Sequence, residues 1–108
     1  MSETIIRSFL RGFDKALMLW LLDKGPRSGY NLIVELQRLT GERISPTLIY
    51  AFLRDLERNG YLTGRLIKNG RKIKEYWLTN KGRRLLEKIG ELFLTSLSDM
   101  LMDISALR

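Results

Sequence analysis

The chain has 108 residues, a formal net charge of +7, and neither cysteine nor histidine. That length suits one domain, and the missing residue types exclude zinc fingers, disulfide scaffolds and catalysis by Cys or His. A hydrophobic content of 44% lies in the globular range and excludes a chain disordered by composition.

Ile6, Phe9, Leu10, Phe13, Leu17, Trp20 and Leu21 recur three and four apart, which predicts a first helix with an apolar face. Met18, Leu19 and Leu22 widen that face nearly all round, so a well-buried helix is expected, with Phe9, Phe13 and Trp20 packed in the core. Its most apolar stretch, residues 16–22, falls far short of the ~20 residues a bilayer span needs, so a soluble, intracellular protein is expected. Gly25-Pro26 ends the helix. Ser28 can cap a second helix whose inner stripe is Tyr30, Ile33 and Leu36, with Leu39 at its margin, closed by Gly41. Ser45-Pro46 starts a third, because the serine can accept from a free backbone N–H and proline suits the first helical position. Leu48, Ile49, Phe52, Leu53 and Leu56 form its predicted buried stripe, and Asn59-Gly60 ends it.

Residues 61–78 are expected to form a hairpin about Asn69-Gly70, a pair suited to a two-residue type I′ turn. Counting outward pairs Lys68 with Arg71, Leu66 with Ile73, Leu62 with Trp77, and Tyr61 with Leu78. The base is apolar, with Tyr76 and Trp77 packed there, and the tip is basic. Thr79 or Asn80 can cap a last helix of ~28 residues, ~42 Å long. Along it Leu86, Ile89, Phe93, Leu97, Met100, Ile104 and Leu107 form a heptad-like seam, with Leu85, Leu92 and Leu101 as a second stripe.

The fold class this order predicts is mainly α with a small β-hairpin wing. It is a winged helix-turn-helix (residues 1–79, with the N-terminal helix) plus a long C-terminal dimerisation helix (residues 80–108). In such a layout the third helix enters the major groove of double-stranded DNA. Positions off its apolar stripe include Thr47, Tyr50, Arg54 and Arg58, and Ser45 with the free N–H groups of the first turn suits a phosphate. From Arg58 to Arg84 there are nine basic residues against Glu75 alone, a local excess larger than that of the whole chain. Lys68, Arg71, Lys72 and Lys74 on the hairpin are therefore expected to meet phosphates or the minor groove.

The two stripes of the last helix exceed what the rest of one chain can cover. A homodimer is expected, through Phe93, Leu97, Met100, Leu101 and Ile104 with help from the first helix. No cofactor or metal is expected, and the acidic residues show no paired placement of the kind catalysis needs. Two rivals to sequence-specific regulation remain: an architectural protein that coats DNA with little sequence preference, and a winged helix reused for protein interaction.

The runs Ser28-Gly29-Tyr30-Asn31-Leu32 and Ser45-Pro46-Thr47-Leu48-Ile49-Tyr50, followed by Leu53 and Leu56 to Leu62, carry a family resemblance. Together with Tyr76-Trp77-Leu78-Thr79 and Lys81-Gly82, they resemble the PadR family of transcription regulators over about residues 10–90. Archaeal winged-helix proteins of the Lrs type share single pieces but not the combination. The resemblance implies a repressor that dimerises through its C-terminal helix and binds an inverted repeat in a promoter. It places DNA contacts at Ser45, Thr47, Tyr50 and the wing, in a cytoplasmic, nucleoid-associated protein. Family members can respond to phenolic acids or drugs near the dimer interface, some by stacking a tryptophan of the last helix on the ligand. This chain has Phe93 and methionines on that helix and no tryptophan, so an effector is left unidentified and no ligand residues are assigned.

Overall fold

Helical apolar spacing, punctuated by glycines and capping hydroxyls, resolves into four helices and a small sheet. The computed structural model describes residues 2–68 and 72–107, with side chains for 3–67 and 73–107. The order is α1 (Ser2–Asp23), β1 (Arg27–Ser28), α2 (Gly29–Thr40), α3 (Pro46–Arg58), β2 (Leu62–Lys68), β3 (Lys72–Leu78) and α4 (Asn80–Ala106). The caps fall where the sequence puts them. Ser28 accepts from the Asn31 N–H at 3.1 Å, Ser45 from Leu48 at 3.4 Å and Thr79 from Gly82 at 3.1 Å. Gly41 and Gly60 hold the left-handed backbone (φ 71° and 81°) that ends α2 and α3.

The core is built by one face of each element. Met18, Leu19, Leu21 and Leu22 of α1 meet Leu32, Ile33 and Leu36 of α2, Ile49, Leu53 and Leu56 of α3, and Leu62, Tyr76 and Leu78 of the hairpin. Burying a leucine stabilises by roughly 1.5–3 kcal/mol, so these side chains hold the helices and the hairpin together. The two-residue β1 is fixed by pairing with β3 and by Arg27, which donates to the Leu21 carbonyl at 3.0 Å and to Asn31 Oδ1 at 2.8 Å. Leu85, Leu86 and Ile89 seat the start of α4 on it. Beyond them α4 leaves the core, and the molecule extends 53 Å along its longest axis against 20 Å along its shortest.

The structure corrects the expected core in three places. Phe9 and Phe13 are exposed because the N-terminal half of α1 runs past the end of the core, and Trp20 because it lies on the side of α1 away from the buried Asp14, Met18, Leu21 and Leu22. Tyr30 is exposed as well, since the inner stripe of α2 is Gly29, Leu32, Ile33 and Leu36. Leu48 stands half-exposed at the edge of α3, and Leu39 likewise on α2.

The sheet also differs from expectation. It has three antiparallel strands in the order β1-β3-β2, with Arg27 opposite Tyr76 and Ser28 opposite Glu75. A two-residue strand carries no periodicity to read. The hairpin register is displaced by one residue, pairing Leu62 with Leu78, Gly64 with Tyr76 and Lys68 with Lys72, so three residues separate the strands. The reason is the core. Side chains alternate along a strand, so Leu62, Tyr76 and Leu78 share the inner face only in this register; the expected one would turn Leu62 outward. The turn itself, Asn69 to Arg71, lies outside the described residues.

Candidate nucleic-acid interface

α3 is divided along its length. Ile49, Leu53 and Leu56 are buried, while Thr47, Tyr50, Arg54 and Arg58 form one exposed row on the side away from them. Spacings of three and four hold that row on a single helix face. At 1.5 Å per residue it runs ~16 Å, within the span one helix presents to a major groove. Ser45 is exposed at its N-terminal end and caps the helix by accepting from the Leu48 N–H. With Pro46 at the first position, the Thr47 N–H is the one of the first turn without a partner among the described residues.

Tyr50 is covered on one side and open on the other. Its ring lies against the Cα of Gly29 at the start of α2, where a side-chain carbon would come within 2.8 Å of Cζ, yet 42% of the residue stays exposed. Gly29 is thus a shelf for Tyr50, a role invisible in the sequence because the two residues are 21 positions apart. Burial pushes the Tyr76 hydroxyl above its usual range, and the charges of Lys74, Glu57, Tyr50 and Arg54 are felt there, so the inner face of β3 lies beside the α3 row. Among the described residues Arg54 forms no ion pair, and Arg58 meets Asp55 only at 3.8 Å, both side chains largely in water. Exposed pairs of that kind are worth little, so both guanidinium groups remain able to meet phosphate.

The wing is clamped to α3 by a single carboxylate. Glu57 accepts from the Gly64 N–H at 3.1 Å through one oxygen and from Lys74 Nζ at 2.8 Å through the other. That hydrogen bond to Glu57 holds the Lys74 ammonium above its ordinary range. Lys74 is therefore engaged within the fold, joining β3 to α3. A side chain at Gly64 would collide with Lys74 and stand 2.9 Å from Glu57 Oε2, so the clamp needs glycine there. On the other face of the hairpin Arg65 stands opposite Glu75 and its guanidinium lies 5.5 Å from the Trp77 ring centroid. Lys68 and Lys72 form the last backbone pair before the turn. Their side chains, and Arg71 with Asn69 and Gly70, lie outside the described residues.

The structure thus brings Ser45, Thr47, Tyr50, Arg54 and Arg58 together along α3 and its N-cap, with Lys74 of β3 tied to the same helix through Glu57. The residues expected on the other functional surface are also placed. Phe93, Met100, Leu101 and Ile104 are exposed and Leu97 is partly so, along the half of α4 that leaves the core. Ile5, Ile6, Phe9 and Phe13 of α1 are exposed too, with Phe9 and Phe13 stacked at 5.9 Å. Among the described residues no group of His, Cys, Asp or Glu is placed to hold a metal ion, and no helix is long and apolar enough to cross a membrane.

Residues 18–88 match the model of the transcriptional regulator PadR-like family. No curated protein matches the chain significantly. Among solved structures, the chain is similar to a PadR family transcriptional regulator from Eggerthella lenta, with 28% identity, a TM-score of 0.80, and coverage of 95% of this chain and 90% of that one. It is also similar to Bacillus subtilis PadR in complex with operator DNA, with 30% identity and a TM-score of 0.63 over 72% of this chain. It spans 45% of the length of that protein. A transcriptional regulator from Clostridium thermocellum shares the fold at 23% identity, with a TM-score of 0.74 and 95% coverage of both chains.

Proposed function

The chain belongs to the PadR-like family of transcriptional regulators, and on that premise we propose that it is a repressor that binds an inverted repeat in promoter DNA as a homodimer. α3 lies in the major groove. Thr47 and Tyr50 read base edges near its N-terminus, Ser45, Arg54 and Arg58 hold phosphates, and the wing brings Lys68, Arg71 and Lys72 to the neighbouring backbone or minor groove. Lys74 acts from inside the fold, through Glu57, by fixing the wing to the reading helix. The observation that carries this reading is the uncovered polar row on α3, backed along its whole length by core and flanked by a clamped basic hairpin. The operator complex of the Bacillus subtilis relative supports the same partner.

Dimerisation uses the protruding half of α4 (Phe93, Leu97, Met100, Leu101, Ile104) and the exposed Phe9–Phe13 stripe of α1. Residues 1–79 then serve as the DNA-reading unit and 80–108 as the dimerisation element. Two reading helices related by a twofold axis meet half-sites ~34 Å apart, one turn of DNA. A regulator acting in this way works in the cytoplasm, on the nucleoid.

The deciding experiment is site selection on random DNA followed by competition binding at one fixed salt concentration. A selected inverted repeat that outcompetes bulk DNA by at least ~1,000-fold is expected. A ratio near one would replace this reading with an architectural role, since phosphate contacts alone carry no sequence information.

A further inference from the structure

Asp14 is a charged residue on the covered side of α1. It is 9% exposed, and among the described residues its Oδ1 is the one buried side-chain oxygen or nitrogen with no hydrogen-bond partner. No ion pair includes it, although Arg11 lies one turn back and Lys15 is the next residue on the same helix. A buried carboxylate without a partner is destabilising, so its presence calls for a group that satisfies it.

Asp14 lines a groove of about 570 Å3 between α1, α3 and the segment joining α2 to α3. That volume lies within the range of small-molecule sites. The apolar wall is Leu10, Met18, Leu48, Ile49 and Phe52, and it explains why Leu48 is exposed: it faces the groove. The other charged groups facing Asp14 are Arg7, Arg11 and Lys15 on α1, Glu42 and Arg43 on the connection, and Asp55 on α3. All of these are exposed. Water screens such charges from one another, whereas the Asp14 charge is not screened in this way. Lys15 in addition rests 5.1 Å above the Phe52 ring.

The groove is separate from the proposed dimer face. At 3.6 residues per turn, the groove side of α1 (Arg7, Arg11, Asp14, Met18) lies roughly 150° round the helix from the Phe9–Phe13 stripe. It borders α3 directly: Ser45 and Ala51 line it beside Thr47 and Tyr50.

We propose that this groove is an effector site for a small organic cation, an amine or amidine on an apolar body, whose charged head pairs with Asp14 and whose body lies against Met18, Leu48 and Phe52. A cation supplies the missing partner for the carboxylate, and the apolar wall supplies affinity without further polar groups. Burial pushes the Asp14 carboxyl up, a penalty the ligand cation relieves, so affinity falls as pH drops through the titration of this group. Because the ligand bridges α1 and α3, its occupancy biases the position of the reading helix. The regulatory half of the proposal rests on the DNA-binding reading above; the site itself does not.

The test uses three isosteres on the full-length chain: naphthylmethylamine, naphthylmethanol and naphthoate, titrated by calorimetry and by amide NMR shifts. The amine is expected to bind at least tenfold tighter than the alcohol, and naphthoate weakest, with shifts at Asp14, Leu48 and Phe52. Asp14→Asn, a neutral isostere, should erase the preference for the amine. Leu48→Ala should weaken all three ligands together while keeping their order. Equal binding of amine and alcohol, no binding, or a preference that survives Asp14→Asn would overturn the site. Repeating the titration with selected DNA bound reads the coupling, which must be equal in both directions. An amine that binds free and DNA-bound protein equally overturns the regulatory half. A chain that binds the amine at Asp14 but no DNA supports the site while the proposed function fails.

Discussion

Tyr50 rests on Gly29 while its neighbours in the row, Thr47 and Arg54, stand clear of the core. Gly29→Ala would press a methyl group into that ring. Tyr50 must then rotate outward, and DNA affinity is expected to fall by about tenfold or more, with little change in thermal stability. Gel-shift titration beside a melting curve checks this, and a large loss of Tm with unchanged affinity would assign Gly29 to packing alone. Asp14 offers a second reading at the same scale. Burial raises its carboxyl above the ordinary 3.8, so the folded chain holds that proton more tightly than the unfolded one. Stability from this group is therefore full in acid, where both states are protonated, and declines as pH rises through the folded value. Asp14→Asn should raise Tm at pH 7, and the gain should shrink toward pH 4. A gain of the same size at both pH values would speak against a buried charge. Neither residue was legible beforehand. Gly29 looks like an ordinary helix start and Asp14 like a solvated charge, because what defines each is a neighbour distant in the chain.

Among the elements, α3 was readable almost completely from its cap, its apolar spacing and its glycine stop, since those are local. The hairpin was readable as a hairpin but not in register. Turn chemistry at Asn69-Gly70 favours a two-residue loop, whereas burial of Leu62, Tyr76 and Leu78 on one face demands a slip of one, and several buried side chains outweigh one turn preference. The joint between hairpin and α4 is equally tertiary. Gly82 is buried in the first turn of α4, and a side-chain carbon there would stand 2.9 Å from Leu78 Cδ2 and press on the Tyr61 backbone. Gly82→Ala is therefore expected to destabilise by about 1–3 kcal/mol, despite the better helix propensity of alanine. Chemical denaturation measures it, and a stabilised variant would show that the hairpin base moves freely against α4.

For the whole molecule, the outstanding feature is apolar surface that one chain leaves in water. Phe93, Met100, Leu101 and Ile104 on α4 join Phe9 and Phe13 on α1, and Phe9 alone is 64% exposed. A charge placed in that seam should separate the copies, because burying an unpaired carboxylate costs more than the seam returns. Phe93→Asp is predicted to shift the sedimenting species from dimer to monomer. It should weaken operator binding by more than tenfold while leaving each reading unit folded, since half-sites are then bound independently. A variant that stays dimeric, or a wild-type chain that sediments as a monomer at micromolar concentration, would remove the twofold reading head.

The sequence by itself determined the order of the helices and the hairpin, their caps, the polar row on α3 and the two apolar stripes of α4, because each follows from spacing and turn chemistry within a few residues. Tertiary structure decided which side of α1 is covered, the third strand at Arg27–Ser28, the hairpin register, the clamp of Glu57 on Lys74 and the burial of Asp14. Those depend on which distant surfaces compete for the same core, and local pattern carries no record of that competition.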